Sequence, residues 1–210
     1  MCPLLTGFWF QKALEVEKKL RDIIKSGLIL CVISLTVALT LAFTYSATKD
    51  TIELRKLEKA EEARGLVMSY AESFEKVENL DLSSSMVKAV YNGIADGNVV
   101  GKVFEVEGRG YGGPIQITVG IDNEGRITGI NIGDNTETPG LGQKITREDF
   151  LNQFKGISSE KSLKAVKNPS DKEEEIHIAS GATVSSEAVV DAVQAAMDLN
   201  REIISGKGDL

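Results

Sequence analysis

At 210 residues with 42% hydrophobic and 26% charged side chains, the chain has room for one compact domain and an anchor, not for two full-sized domains. A net charge of -7 gives a nucleic-acid partner no electrostatic footprint. Two cysteines, Cys2 and Cys31, and one histidine, His177, are too few for a Cys-ligated iron–sulfur cluster, a structural zinc site or a multi-histidine metal centre.

The charge is unevenly placed. Residues 1–27 carry five basic side chains against three acidic ones, a local +2, so with a total of -7 the rest of the chain is -9. The opening segment, GFWFQKALEVEKKLRDIIK, reads either as an amphipathic helix on a membrane surface or as a solvated tail. From Gly27 to Ala47 no charge interrupts the run, and Lys25 and Lys49 flank it. About 20 apolar residues at about 1.5 Å each cross a hydrocarbon core of about 30 Å. A cleaved signal peptide, with an apolar core of about 7–15 residues, is the rival reading. The expected division is a cytoplasmic segment over 1–26, a transmembrane helix over 27–48 and an extracytoplasmic domain over 49–210. The basic residues before the span keep the N-terminus inside by the positive-inside tendency.

Beyond the span, Leu54, Leu57, Val67, Tyr70, Phe74 and Val77 recur at helical spacing and predict a helix over 50–78 with one packing face. A polar break follows from Asn79 to Ser85. Lys102–Glu107 predicts a strand. Ile115, Ile117, Val119 and Ile121 alternate with Gln116, Thr118 and Gly120, the period of a half-buried strand. Asp122–Gly125 supplies a turn, and Arg126–Ile132 returns as the second arm of a hairpin. Thr146 and Asp149 have capping-box spacing ahead of a short helix carrying Phe150, Leu151 and Phe154. A charged stretch, Lys167–Glu175, is expected to be mobile and leads into a strand at Ile176–Ala179. The chain closes with a helix from about Ser185, with Val189, Val193, Ala196, Leu199 and Ile203 on one face. The mixture predicts an α+β domain with an antiparallel sheet and flanking helices.

Two short segments stand out for chemistry. Ser180-Gly181-Ala182-Thr183 lies between a short strand and the last helix, where small residues admit close backbone approach and helix N–H groups face an anion. The competing view is a strand-to-helix turn capped by Thr183, Ser185 or Ser186. Glu137-Thr138-Pro139-Gly140-Leu141-Gly142 forms a kinked loop with an apolar tip. It suits either a flat aromatic ligand or a structural turn.

Taken in order, GYGGPIQITVGIDNEGRITGINI, TETPGLGQKI and SGATVSS resemble the FMN-binding domain of the RnfG and NqrC family, and the GYGGPI opening is more similar to RnfG. The resemblance covers nearly the whole chain. It implies an electron-transfer subunit, not catalytic alone, of a membrane-bound ion-translocating complex of the Rnf ferredoxin:NAD oxidoreductase type. The NqrC-type subunit of a sodium-pumping NADH:quinone reductase is the alternative, as is an exported scaffold that has lost its flavin. The resemblance further implies FMN esterified through its phosphate to Thr183 and installed from FAD by a flavin transferase. Ser180, Gly181 and Ala182 then shape the attachment turn, and Thr138, Pro139, Gly140, Leu141 and Gly142 line the flavin site. Glu137 is expected to orient that loop. The implied partners are the other subunits of the complex and the cell's inner membrane. His177 departs from the family pattern, which has an acidic residue three positions before the Ser/Thr.

Overall fold

The computed structural model describes residues 4–78, 80, 82, 85–168 and 171–205, with side chains from residue 19 onward except at 22. It divides into two compact units, 1–56 and 57–210.

The first unit is helical. It belongs to α1, which runs Leu4–Val67 and contains one stretch long and apolar enough to cross a membrane. Among the described residues none covers this stretch: Leu28, Leu35, Leu39 and Phe43 are all exposed. Its threonine hydroxyls are nonetheless satisfied, because Thr36, Thr40, Thr44 and Thr48 each donate to the carbonyl four residues earlier. Such back-bonding is what a threonine in hydrocarbon requires. Cys31 is an exposed free thiol, and Cys2 lies outside the described residues.

The second unit begins with the end of α1. The predicted helix to residue 78 is corrected here: α1 stops at Val67, and Ser73–Lys76 forms strand β1. Tyr70, Phe74 and Val77 therefore share no helix with Leu54 and Leu57, which are both exposed and form no packing face. Their helical spacing is coincidental. Within the expected break, Asn79, Asp81, Ser83 and Ser84 lie outside the described residues.

Strands β1, β2 (Val87–Ala95), β3 (Asn98–Arg109), β4 (Pro114–Asp122) and β5 (Ile127–Asn135) make a five-stranded antiparallel meander in chain order. Strand β2 is an element that periodicity did not mark. It turns into β3 at Asp96-Gly97, both at positive φ (50° and 73°), the backbone that a two-residue hairpin demands. The Asp122–Gly125 turn forms as expected: Asp122 Oδ1 accepts from the amides of Glu124 and Arg126.

After β5 come a 3-10 helix (Gly142–Thr146), a one-turn helix α2 (Glu148–Leu151) and a second 3-10 turn (Asn152–Phe154). The capping box does not form. Thr146 lies in the first 3-10 helix with its hydroxyl on the Gln143 carbonyl, and Arg147 occupies the N-cap of α2. Phe150 and Phe154 still reach the core and meet edge to face. Two three-residue strands, β6 (Lys164–Val166) and β7 (Glu175–His177), pair in parallel. Asn168 and the charged residues 171–175 are described, whereas Pro169 and Ser170 are not. Helix α3 (Thr183–Ile204) starts two residues earlier than predicted.

The two faces of the sheet are covered differently. On one face, Phe104, Val106, Ile117 and Val119 pack in a cluster with Val189, Val193, Ala196 and Met197 of α3. Val103, on the other face, packs with Val67 and Met68 at the end of α1. Each fully buried aliphatic or aromatic side chain in such a layer stabilises by about 1.5–3 kcal/mol. Arg64 locks this second face: it lies 2.6 Å from Glu105 and 4.2 Å above the Tyr91 ring.

Candidate functional site

Three loops converge at one end of the α3 layer: the β3–β4 connection (Gly110–Gly113), the segment after β5 (Thr136–Gly142) and the bend into α3 (Ala179–Thr183). Their junction is Glu137, which is only 3% exposed. Its Oε1 accepts from the amide of Gly112 at 3.0 Å, and its Oε2 accepts from the Ser185 hydroxyl at 2.6 Å. The Thr136 hydroxyl donates to the Gly112 carbonyl, so the peptide units around Gly112 are held on both sides. A β-carbon at Gly142 would lie against the Glu137 carboxylate, and this position tolerates no side chain. The expected role of Glu137 is to orient its own loop; its two hydrogen bonds run instead to the β3–β4 connection and to α3.

The loop itself is a turn closed on Thr138, whose carbonyl accepts from the amides of Leu141 and Gln143. Gly140 takes φ +77°, while Thr138, Pro139 and Gly140 are exposed and Leu141 is 50% exposed. The bend into α3 adjoins it. Gly181 has φ +83°, and a β-carbon there would lie 3.1 Å from Leu141 Cδ2. Lys144 ties the two segments by donating to the Ser180 carbonyl at 2.7 Å. Of the residues singled out in sequence, the structure brings Leu141 against Gly181 and buries Ala182 in the core.

Thr183 is the first residue of α3, and no side chain caps the helix. The expected hydroxyl cap is therefore not formed. The three hydroxyls of this turn have different fates. Ser185 donates to Glu137, and Ser186 accepts from the Ala179 amide at 3.0 Å. Thr183, half-buried, has no hydrogen-bond partner for its hydroxyl among the described residues. Tyr111 (78% exposed) and Val184 (49% exposed) add apolar surface to the same group of loops. Sequence reasoning missed Gly112 as an amide donor and Lys144 as the tie. The spacing of glycines marked the first loop without showing which amide turns inward, and a lysine two residues past a turn carries no signal.

His177 ends β7 and is exposed. Gln153 grips its peptide from both sides, accepting from the His177 amide at 2.7 Å and donating to its carbonyl at 3.2 Å.

Comparison with known proteins agrees with this geometry. Residues 110–198 match the model of an FMN-binding domain, and residues 18–64 match an RnfG N-terminal region. The first of these segments contains all three converging loops. The G subunit of an ion-translocating oxidoreductase complex from Methanosarcina acetivorans is 37% identical over 85% of this chain and 94% of its own length. The G subunit of the Na(+)-translocating ferredoxin:NAD(+) oxidoreductase complex from Acetobacterium woodii is 35% identical over 90% of this chain and 97% of its own. Among solved structures, the C subunit of the Na(+)-translocating NADH-quinone reductase from Parabacteroides distasonis superposes with a TM-score of 0.51 at 21% identity, over 69% of this chain and 94% of that one. That likeness concerns the fold.

Proposed function

The chain belongs to the RnfG family, the G subunits of ion-translocating oxidoreductase complexes, and on that premise we propose that it is the FMN-carrying electron-transfer subunit of an Rnf-type membrane complex that links ferredoxin and NAD. It is a single-pass membrane protein by virtue of α1. Its N-terminal 26 residues face the cytoplasm, residues 27–48 span the inner membrane and residues 49–210 are exported. The support is the +2 charge ahead of the span and the -9 charge of the remainder. Between Lys25 and Lys49 the span has no ionisable carboxylate, amine or imidazole, so it offers no ion path and translocation belongs to the partner subunits.

Thr183 carries the FMN as a phosphoester. The observation behind this assignment is that Thr183 alone, among the hydroxyls at 183, 185 and 186, performs no structural task. A bend that places a half-buried, uncommitted hydroxyl between exposed Ser180-Gly181 and exposed Val184 is open to a modifying enzyme. Bound FMN supplies one- and two-electron transfer, and the chain's residues supply its retention and orientation. The exposed tip at Thr138–Leu141, with Leu141 against Gly181, offers the apolar surface on which the ring rests. Maturation calls for a flavin transferase that uses FAD and accepts His177 where the family resemblance implies an acidic residue. The relatives' names favour the Rnf assignment over the quinone-reductase one, for which only the fold speaks.

Intact-mass measurement of the protein from its own membranes tests the reading. The expected result is one FMN residue added, located on the Thr183 peptide and lost in Thr183→Val. A native mass equal to that of the amino acids alone would leave an exported scaffold as the answer.

A further inference from the structure

A cleft of about 450 Å³ opens beside the bend, within the size range of small-ligand sites. It lies between the segment carrying Lys144, Arg147, Asp149 and Gln153 and the chain from His177 to Ser180, over a floor that includes buried Phe150 and Ile178. Neither the loop Thr138–Gly142 nor positions 181–183 line it, so it is distinct from the surface assigned to the flavin ring and meets the bend at Ala179 and Ser180. Its rim holds two cations, Lys144 and Arg147, against one carboxylate, Asp149. This is the opposite balance from the -9 carried by the chain beyond residue 27.

The two cations keep donors to spare. Lys144 gives one N–H to the Ser180 carbonyl, and an ammonium has three. Arg147 faces Asp149 through Nε at 3.3 Å, and a guanidinium has five. The Gln153 clamp fixes the His177 backbone and leaves the imidazole at the cleft. A recess with two cationic side chains on its rim suits an anion with several oxygens, and phosphate is the biological group that fits this pattern.

We propose that this cleft is a phosphate subsite adjoining the attachment bend, in which Lys144, Arg147 and His177 receive the phosphate of a flavin nucleotide or of the nucleotide expelled when the ester forms. The inference deepens the reading of Thr183 as the attachment point and rests on it. In the attachment step the Thr183 Oγ–P bond forms and the P–O–P bond of the dinucleotide donor breaks. The nucleoside monophosphate leaves with the bonding electron pair, the hydroxyl proton passes to solvent, and nothing is oxidised or reduced. A cationic recess beside the bend stabilises the charge on either product.

His177 is the single histidine of the chain, so its ring carbon–proton signal reports on the cleft alone. The full-length Thr183→Val chain in detergent, at one fixed pH, is titrated with inorganic phosphate, adenosine monophosphate, FMN and riboflavin. The three phosphate compounds are expected to shift the signal saturably, while riboflavin at matched concentration does not. Lys144→Met combined with Arg147→Met should weaken phosphate binding at least about tenfold, whereas Lys144→Arg stays within about threefold of the parent. Wild-type protein loaded with flavin separates the two sources. Loss of its response to adenosine monophosphate means that the attached flavin's own phosphate fills the cleft, and a retained response means that the cleft serves the leaving nucleotide. Riboflavin acting as strongly as FMN, no saturable shift with any phosphate compound, or unchanged binding in the double variant would overturn the proposal. The mass of the wild-type chain decides the Thr183 reading separately, because these titrations use protein that cannot form the ester.

Discussion

Among its described residues the second unit buries two charged side chains, Arg64 and Glu137, and they are satisfied in different ways. Arg64, 7% exposed, is paired with a carboxylate and lies over an aromatic ring, yet its Nε has no hydrogen-bond partner among the described residues. Glu137, 3% exposed, pairs with no cation among the described residues; its two oxygens are engaged by an amide and a hydroxyl. An ion pair holds two elements together at distance and tolerates an imperfect fit. A carboxylate satisfied by neutral donors demands that each donor be in place. The first arrangement fastens the end of α1 to the sheet. The second sets the geometry of three loops.

That contrast can be broken by substitution. Glu137→Ala should have the largest effect, about 3 kcal/mol, because it strands the Gly112 amide and the Ser185 hydroxyl and leaves a void. Thermal unfolding of the detergent-solubilised chain measures it, and a loss below about 1 kcal/mol would show that water replaces the carboxylate. Arg64→Ala should cost about 2 kcal/mol, less than a fully buried pair would, because the Glu105 side chain is 29% exposed and can hydrate. A double-mutant cycle with Glu105→Gln should return a coupling of about 1 kcal/mol. Ser185→Ala removes one donor from Glu137 and should cost about 1.5 kcal/mol by denaturant titration.

Smaller effects sharpen the same comparison. Tyr91 beside Arg64 has its pKa raised above the ordinary 10.0, first by burial and then by the Glu105 charge, with Arg64 opposing. The folded state thus holds the phenol proton to higher pH than the unfolded chain does. This contribution is complete below about pH 10 and is lost as pH climbs from there through the raised value. Tyr91→Phe should accordingly flatten the alkaline fall in stability relative to the parent. Thr183→Val should change stability by less than about 0.5 kcal/mol while abolishing covalent flavin, since its hydroxyl supports nothing in the fold.

Much of this arrangement was legible in the sequence where local chemistry dictates local form. The alternation at Ile115–Ile121 named the buried face of β4, Asp122–Gly125 named its turn, and the Ser180–Thr183 bend was marked by its small residues. Reading failed where tertiary context decides. The spacing of Tyr70, Phe74 and Val77 fits a helix as well as it fits the turn and strand actually formed. Thr146 and Asp149 have capping spacing, but Thr146 closes a 3-10 helix and Arg147 takes the N-cap of the turn that holds Asp149. Strand β2 was readable in principle from Asp96-Gly97, the strand expected at Ile176–Ala179 forms one residue earlier as β7, and β6 is too short for periodicity to speak. The cleft could not be read at all, since Lys144, Arg147 and His177 meet only through folding.

The bond from Ser185 to Glu137 spans 48 positions, and its donor comes from the closing helix. A polypeptide not yet made as far as that helix, or cut short before it, offers the carboxylate no hydroxyl to receive. The junction of the three loops is therefore complete only once that helix has been made and has docked.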